Sequence, residues 1–182
     1  MARPLILVLG GTRSGKSSHA LEATRAFAGD GRAWFLATAR PAADPELERR
    51  IARHRQARPS AWPTIEVGTD LAAAVDGAAP SEPVLVEGLT LWLSAMVGDD
   101  PADPDPILEG PVAAALAAIA RHAGPVVVVS DEIGLGMVPM HTGARSFRDL
   151  VGLVHQRFAA QADEVRLVVA GLPLVLKAGT ST

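Results

Sequence analysis

Apolar positions along this chain alternate between two periods. Leu5-Ile6-Leu7-Val8-Leu9 is an unbroken apolar run, the pattern of a strand buried on both faces. A helix is expected from Lys16 to about Phe27, stopped by Gly29-Asp30-Gly31. Ala33–Ala37 reads as a second strand, and Asp44-Pro45 can cap and start a charged helix ending before Pro59. Val84-Leu85-Val86, Val126–Val129 and Val165–Val169 are three further short β-branched runs. Helical stretches fall at Leu89–Val97, Leu108–His122 and Phe147–Ala162; in the last, Phe147, Leu150, Val151, Val154 and Phe158 mark one face. Val168–Lys177 reads as a last strand and tight turn given over to core packing. The acidic, proline-rich piece Gly98–Pro111 reads as a solvated loop, because its prolines hinder convergence of the carboxylates on a metal.

Short apolar strands separated by helices predict an α/β fold with a mostly parallel sheet covered on both faces. Residues 1–182 read as one domain, with 48% apolar and 20% charged residues to build its core. Seventeen basic against twenty acidic residues leave a formal charge of −3, which offers no net attraction to a nucleic-acid backbone or an anionic membrane. With four Phe, three Trp and no Tyr, few rings exist for base stacking. The absence of cysteine excludes disulfides, thiolate nucleophiles and Cys-ligated zinc. No run reaches the roughly 18 to 20 apolar residues of a membrane helix. The first apolar stretch leads into Gly10–Ser17 without a cleavage pattern, so the expected location is the cytoplasm.

The sharpest chemical signal is Gly10-Gly11-Thr12-Arg13-Ser14-Gly15-Lys16-Ser17, a gapless G-x-x-x-x-G-K-[ST] between a strand and a helix. Such a loop turns backbone N–H groups inward around a polyphosphate and aims a helix N-terminus at the same charge. Lys16 would reach the β and γ phosphates, and Ser17 would ligate Mg²⁺. The loop also needs an acid at the end of another strand for the magnesium shell. Glu87, directly after Val84–Val86, is the best placed; Asp131 and Glu132 form a second candidate pair.

Glu46–Arg58 carries Arg50, His54 and Arg58 at spacings of four, hence on one helix face, with Arg49 and Arg53 alongside. Residue pattern alone leaves two readings open. One is a solvated helix whose leading acids and trailing bases suit its dipole. The other is a second polyphosphate site in which Arg50 and Arg58 flank a nucleophilic, mostly neutral His54. Arg145 and Arg148, beyond the glycine-rich stretch Gly134–Pro139, are candidates either for completing a phosphate clamp or for pairing with Asp149 and nearby acids.

Taken in order, GGTRSGKS (Gly10–Ser17), FLATA (Phe35–Ala39), ERRIARHRQARPSAWPTIE (Glu48–Glu66), VLVEGLTLWLS (Val84–Ser94), VVVSDEIGLGMVP (Val127–Pro139), RSFRDLVGLVHQ (Arg145–Gln156) and ADEVRLVVAGLPLVLK (Ala162–Lys177) resemble the bifunctional adenosylcobinamide kinase and adenosylcobinamide-phosphate guanylyltransferase family. The resemblance implies a P-loop domain related in fold to recombinase-type ATPases, working as a homo-oligomer with a trimer expected. It implies phosphorylation of the aminopropanol hydroxyl of adenosylcobinamide by a nucleoside triphosphate, ATP or GTP. GMP then passes from GTP to adenosylcobinamide phosphate, giving adenosylcobinamide-GDP and pyrophosphate. The family's guanylylated histidine falls on His54. The chain departs from the family pattern at Glu87-Gly88, where Asp-Cys is common, and at Asp131, His141 and His155, where Asn is common. It also has Arg53 where a second histidine often stands. The alternatives are a P-loop kinase without guanylyl transfer, and a non-catalytic nucleotide-binding assembly protein.

Overall fold

A computed structural model of the chain describes residues 4–38, 59–97 and 103–179. Seven strands form one sheet: β1 (Leu5–Gly10), β2 (Trp34–Ala37), β3 (Thr64–Glu66), β4 (Val84–Glu87), β5 (Val126–Asp131), β6 (Glu164–Val169) and β7 (Leu172–Lys177). Their order across the sheet is β3-β2-β4-β5-β1-β6-β7. All neighbours run parallel except β7, which is antiparallel to β6. The helices are α1 (Lys16–Ala28), α2 (Leu71–Asp76), α3 (Leu89–Ser94), α4 (Asp105–Ile107), α5 (Ala113–Arg121) and α6 (Thr142–Gln161). Among the described residues, no helix is long and apolar enough to cross a membrane.

The unbroken apolar run in β1 becomes intelligible through the two-residue side-chain period. Leu5, Leu7 and Leu9 enter one core with Val84, Val86, Val126 and Val128 from neighbouring strands, beneath α2, α3, α5 and α6. Ile6 and Val8 enter a second core on the other face, with Phe35, Leu85, Val127, Val129 and residues Ala20 and Leu21 of α1. A strand buried on both faces has no solvent side on which a polar residue would be favourable. The parallel register also fixes the working edge. Gly10 pairs with Asp131, and Glu87 pairs with Val129, so β1, β4 and β5 all end at one crevice.

Several expectations need correcting. The edge strand β3 and the short helix α2 were not expected; α2 is capped by Asp70, whose Oδ1 accepts the Ala73 N–H at 2.9 Å. The last long helix begins at Thr142 rather than Phe147, and the stretch expected as Leu89–Val97 is helical only to Ser94. The proline-rich region is not wholly loop. Pro106 sits in the first turn of α4, where a missing N–H does no harm. A π-helical turn, Leu108–Val112, then accommodates Pro111, which cannot donate an α-helical bond. The expected core role of β7 is overturned: every residue of Leu172–Lys177 is exposed. β7 is an edge strand, and its outer side has no neighbouring strand among the described residues. The predicted helix from Asp44 to before Pro59, with Arg50, His54 and Arg58, lies outside the described residues.

Candidate nucleotide-binding and active site

The phosphate loop begins where β1 runs out of apolar residues. Gly10 closes the strand, and Gly15 takes φ 96° immediately before α1. Arg13 also adopts positive φ, 57°, a conformation seldom used by residues with a Cβ and found where surrounding structure imposes it. The Ser14 N–H donates to Gly11 O at 3.2 Å and the His19 N–H to Gly15 O at 3.0 Å, closing the loop onto the first turn of the helix. Among the described residues, no side chain caps this N-terminus. The Lys16 N–H has only a long contact, 3.4 Å, to Ser14 Oγ, and a helix N-terminus that opens directly from a glycine-rich loop is the arrangement that an anion cradle uses.

A support comes from the far end of the chain. The two-residue turn between β6 and β7 has Ala170 at φ 52° and Gly171 at φ 81°, the paired positive values of a tight hairpin. The Gly171 N–H donates to Ser14 O at 2.7 Å. A Cβ on Gly15 would approach Gly171 Cα to 3.1 Å. The hairpin therefore braces the phosphate loop, a role that the apolar reading of Val168–Lys177 missed. The signal for it was the Ala-Gly turn between two apolar runs.

Two carboxylates face the loop. Ser17 Oγ donates to Glu87 Oε1 at 2.6 Å, which brings together the two residues expected to serve a metal. Burial pushes the Glu87 carboxyl up from 4.5 to about 7; the Ser17 hydroxyl and the Lys16 ammonium pull it back, and Asp131 adds to the rise. Thr38 secures the backbone here: its hydroxyl lies 2.7 Å from Glu87 O and 2.6 Å from Gly88 O. Gly88, at φ 97°, makes the sharp exit into α3. A buried carboxyl next to a hydroxyl is a hard-oxygen donor pair suited to Mg²⁺, which takes few protein ligands and completes its shell with water and phosphate.

Lys16 bends the other way. Its Nζ lies 2.6 Å from Asp131 Oδ1 and donates to Gly11 O at 3.3 Å. An aspartate at this place would repel a bound phosphate were its charge not countered, and the loop lysine counters it. The Asp131 N–H donates to Thr90 Oγ1 at 3.0 Å, and Thr90 Oγ1 lies 2.9 Å from Ser130 Oγ. His155 Nε2 lies 2.7 Å from Ser130 Oγ, and its Nδ1 is 3.6 Å from Glu132 Oε2. Burial lowers the His155 pKa against the opposing pull of Glu132 and Asp131, favouring a neutral ring that positions the end of β5.

Glu132 and the two arginines serve a different structure. Glu132 Oε1 accepts the N–H groups of Gly134 and Leu135 at 2.5 and 3.2 Å. Arg148 donates to the carbonyls of Gly134, Gly136 and Met137, and Arg145 to those of Pro139 and Met140. The arginines thus hold backbone carbonyls of the loop that follows β5, rather than completing a phosphate clamp or pairing with Asp149.

The crevice thus combines a braced phosphate loop with a lysine, a hydroxyl and two carboxylates. Comparison with known proteins agrees with this architecture. The family described as "Cobinamide kinase / cobinamide phosphate guanyltransferase" matches residues 6–176. The chain is 37% identical to the "Bifunctional adenosylcobalamin biosynthesis protein CobU" of Escherichia coli (strain K12), over 95% of this chain and 99% of that protein. It is 41% identical to the "Bifunctional adenosylcobalamin biosynthesis protein CobP" of Pseudomonas aeruginosa, over 94% of this chain and 96% of that one. Among solved structures, one described as an "ATPase Domain" superposes with a TM-score of 0.57 at 11% identity, covering 99% of this chain and 78% of that one. That likeness shows a shared P-loop ATPase fold. With a match running from β1 to β7, this chain belongs to the cobinamide kinase and cobinamide phosphate guanyltransferase family.

Proposed function

We propose that the chain performs both reactions of its family, with phosphorylation at the crevice where β1, β4 and β5 end. It phosphorylates adenosylcobinamide with ATP or GTP, then transfers GMP from GTP to the product, releasing pyrophosphate. The observation that carries the kinase half is the constellation around α1. The loop Gly10–Ser17 presents its amides, Lys16 stands at its mouth, and Ser17 and Glu87 meet at 2.6 Å. Lys16 would leave Asp131 to counter charge on the transferring phosphate. Ser17 and Glu87 would hold Mg²⁺, which supplies charge neutralisation across the β and γ phosphates.

For guanylyl transfer, the proposed nucleophile is His54, with Arg50 and Arg58 as its phosphate-binding neighbours. Direct attack of a cobinamide phosphate on GTP would bring two anions together. A neutral imidazole makes the first displacement without that repulsion, and the cobinamide phosphate then displaces it. The other histidines support this choice. His19 bonds Arg166, His122 lies against Glu82 O, and His155 lies against Ser130. His141 is exposed, but Arg145, one turn on, is already engaged with loop carbonyls. The enzyme is proposed to act in the cytoplasm as a homo-oligomer, with a trimer as the specific form. The exposed edge at β7 supports self-association, because an edge strand is a template for pairing.

The test uses purified protein with adenosylcobinamide and GTP labelled at the α or the γ phosphate. Wild type should transfer γ label to cobinamide and form an acid-labile protein–GMP adduct that mass spectrometry places on His54. His54→Asn should lose the adduct and guanylyl transfer while retaining phosphorylation. An adduct on another histidine, or full transfer by the asparagine variant, would reject the assignment. Failure of wild type to phosphorylate adenosylcobinamide would reject the kinase.

A further inference from the structure

The loop joining β5 to α6 is built inside out. A solvent loop normally leaves its carbonyls to water and turns apolar side chains inward. Here the polar backbone is satisfied internally: Glu132 takes the Gly134 and Leu135 N–H groups, while Arg145 and Arg148 together hold five carbonyls between Gly134 and Met140. The side chains point outward instead. Leu135 is 81% exposed, Met137 95%, Val138 68% and Met140 93%. Four large apolar groups displayed on a pre-ordered backbone form a contact surface whose ordering cost is already met before anything binds.

Position narrows the occupant. The loop leaves the sheet at Asp131, whose carboxylate touches Lys16 at 2.6 Å. An acceptor whose hydroxyl reaches a phosphate held by Lys16 must place its bulk close to the end of β5. Backbone pairing with a second copy has its edge at β7; this loop, its carbonyls held by the arginines, offers side chains only. We propose that Leu135, Met137, Val138 and Met140 form the docking platform for the corrinoid acceptor, packing against the methyl-studded face of its macrocycle while the aminopropanol arm extends to Lys16. The proposal rests on the kinase reading above and assigns the residues that hold its acceptor. Methionine suits such a surface because its unbranched, polarisable side chain adapts to an irregular ring. Arg145 and Arg148 are positioning residues that hold the platform in shape.

Two measurements on the full-length protein test this. In the first, Leu135→Ser/Met137→Ser/Met140→Ser should raise KM for adenosylcobinamide about tenfold or more, while the Kd for GTP stays within about twofold of wild type. Arg148→Lys, which keeps the apolar side chains but loses the forked donor, should raise KM in the same direction. The second reads binding without turnover. Met137 and Met140 should form sulfoxides readily in dilute peroxide, and cobinamide should slow that oxidation several-fold where GTP alone does not. An unchanged KM in the triple variant, or cobinamide that leaves both methionines equally reactive, would overturn the platform while leaving the kinase reading intact. Protection that rises with protein concentration without cobinamide, together with a fall in assembly mass in the triple variant, would assign the surface to a second copy and also overturn it. Wild type that neither turns over nor is protected would overturn both readings.

Discussion

Glu87→Gln should separate stability from function at the candidate metal site. The substitution keeps the side chain's volume and its ability to accept from Ser17, but removes a buried carboxyl whose pKa burial has pushed up to about 7 from 4.5. A carboxyl shifted upward favours the fold in its protonated form. Its contribution is therefore complete below 4.5 and disappears as pH rises through about 7. At about 1.4 kcal/mol per tenfold change in a proton equilibrium, that displacement withholds about 3 kcal/mol from the fold once the group is fully ionised. More than half of it, about 2 kcal/mol, falls between about pH 5.5 and about pH 8.

The assay is urea unfolding of wild type and Glu87→Gln at both pH values, without nucleotide or metal. Every other titrating group is common to the two proteins, so the difference between their stabilities isolates residue 87. The glutamine variant should gain about 2 kcal/mol on wild type between the acid and alkaline measurements. Its activity should move oppositely, with more Mg²⁺ needed for half-maximal rate and a lower maximum. Parallel stability curves would refute the buried, proton-favouring carboxyl. A magnesium titration overlaying wild type would move the metal role away from Glu87.

Three other substitutions probe the same crevice. Lys16→Ala should lower kinase turnover by about 10²-fold or more with the unfolding midpoint little changed, and near-normal rates would reject the phosphate-loop assignment. Gly171→Ala places a Cβ at φ 81°, so unfolding experiments should show a loss of about 1 kcal/mol. A weaker GTP Kd should accompany it, since Gly171 braces Ser14. Asp131→Asn removes the lysine's anionic partner and should tighten GTP binding several-fold in calorimetry, a result contradicted by equal or weaker binding.

What was legible in the sequence is what is local. The continuous apolar runs located β1, β4 and β5 because strands buried on both faces leave no polar positions. The phosphate loop was legible because its eight residues are consecutive and its neighbours supply the strand and helix it needs. Glu87, 70 residues from Ser17, was legible as the acid that ends a buried apolar run. The loop's backbone supports were not, since they meet it only through the fold: Thr38 lies 49 residues from the carbonyl it holds, and Gly171 reaches Ser14 from beyond the last helix. β3 was missed because Thr64-Ile65-Glu66 has one partly buried residue at a sheet edge. α2 announced itself only by Asp70 before an alanine-rich turn. β7 misled for the opposite reason. Leu172–Leu176 has the composition of a buried strand, but burial on both sides requires a neighbour, and the described residues supply none beyond β6.

The position of Lys16 joins these observations into one electrostatic argument. A lysine at the mouth of a phosphate loop is drawn to any nearby acid, and two acids are available. It pairs with Asp131, which retains partial contact with water, while Glu87, more deeply buried, bonds Ser17 and favours its protonated form. Below about pH 7 Glu87 is therefore a latent anion beside the Lys16–Asp131 ion pair. A triphosphate entering the loop competes with Asp131 for the lysine, so its charge is met without building a new cation into the site. A divalent cation arriving with it favours the ionised form of Glu87. Metal and nucleotide binding should therefore release a proton near neutral pH, measurable in weakly buffered solution, and binding with no proton release at pH 6.5 would contradict the argument. Asp131 keeps the lysine at the mouth of the loop until a triphosphate replaces it, and Thr90, Ser130 and His155 keep Asp131 there. The acid that the family pattern does not lead one to expect at this position thus serves as the resting partner of the residue that the motif makes most prominent.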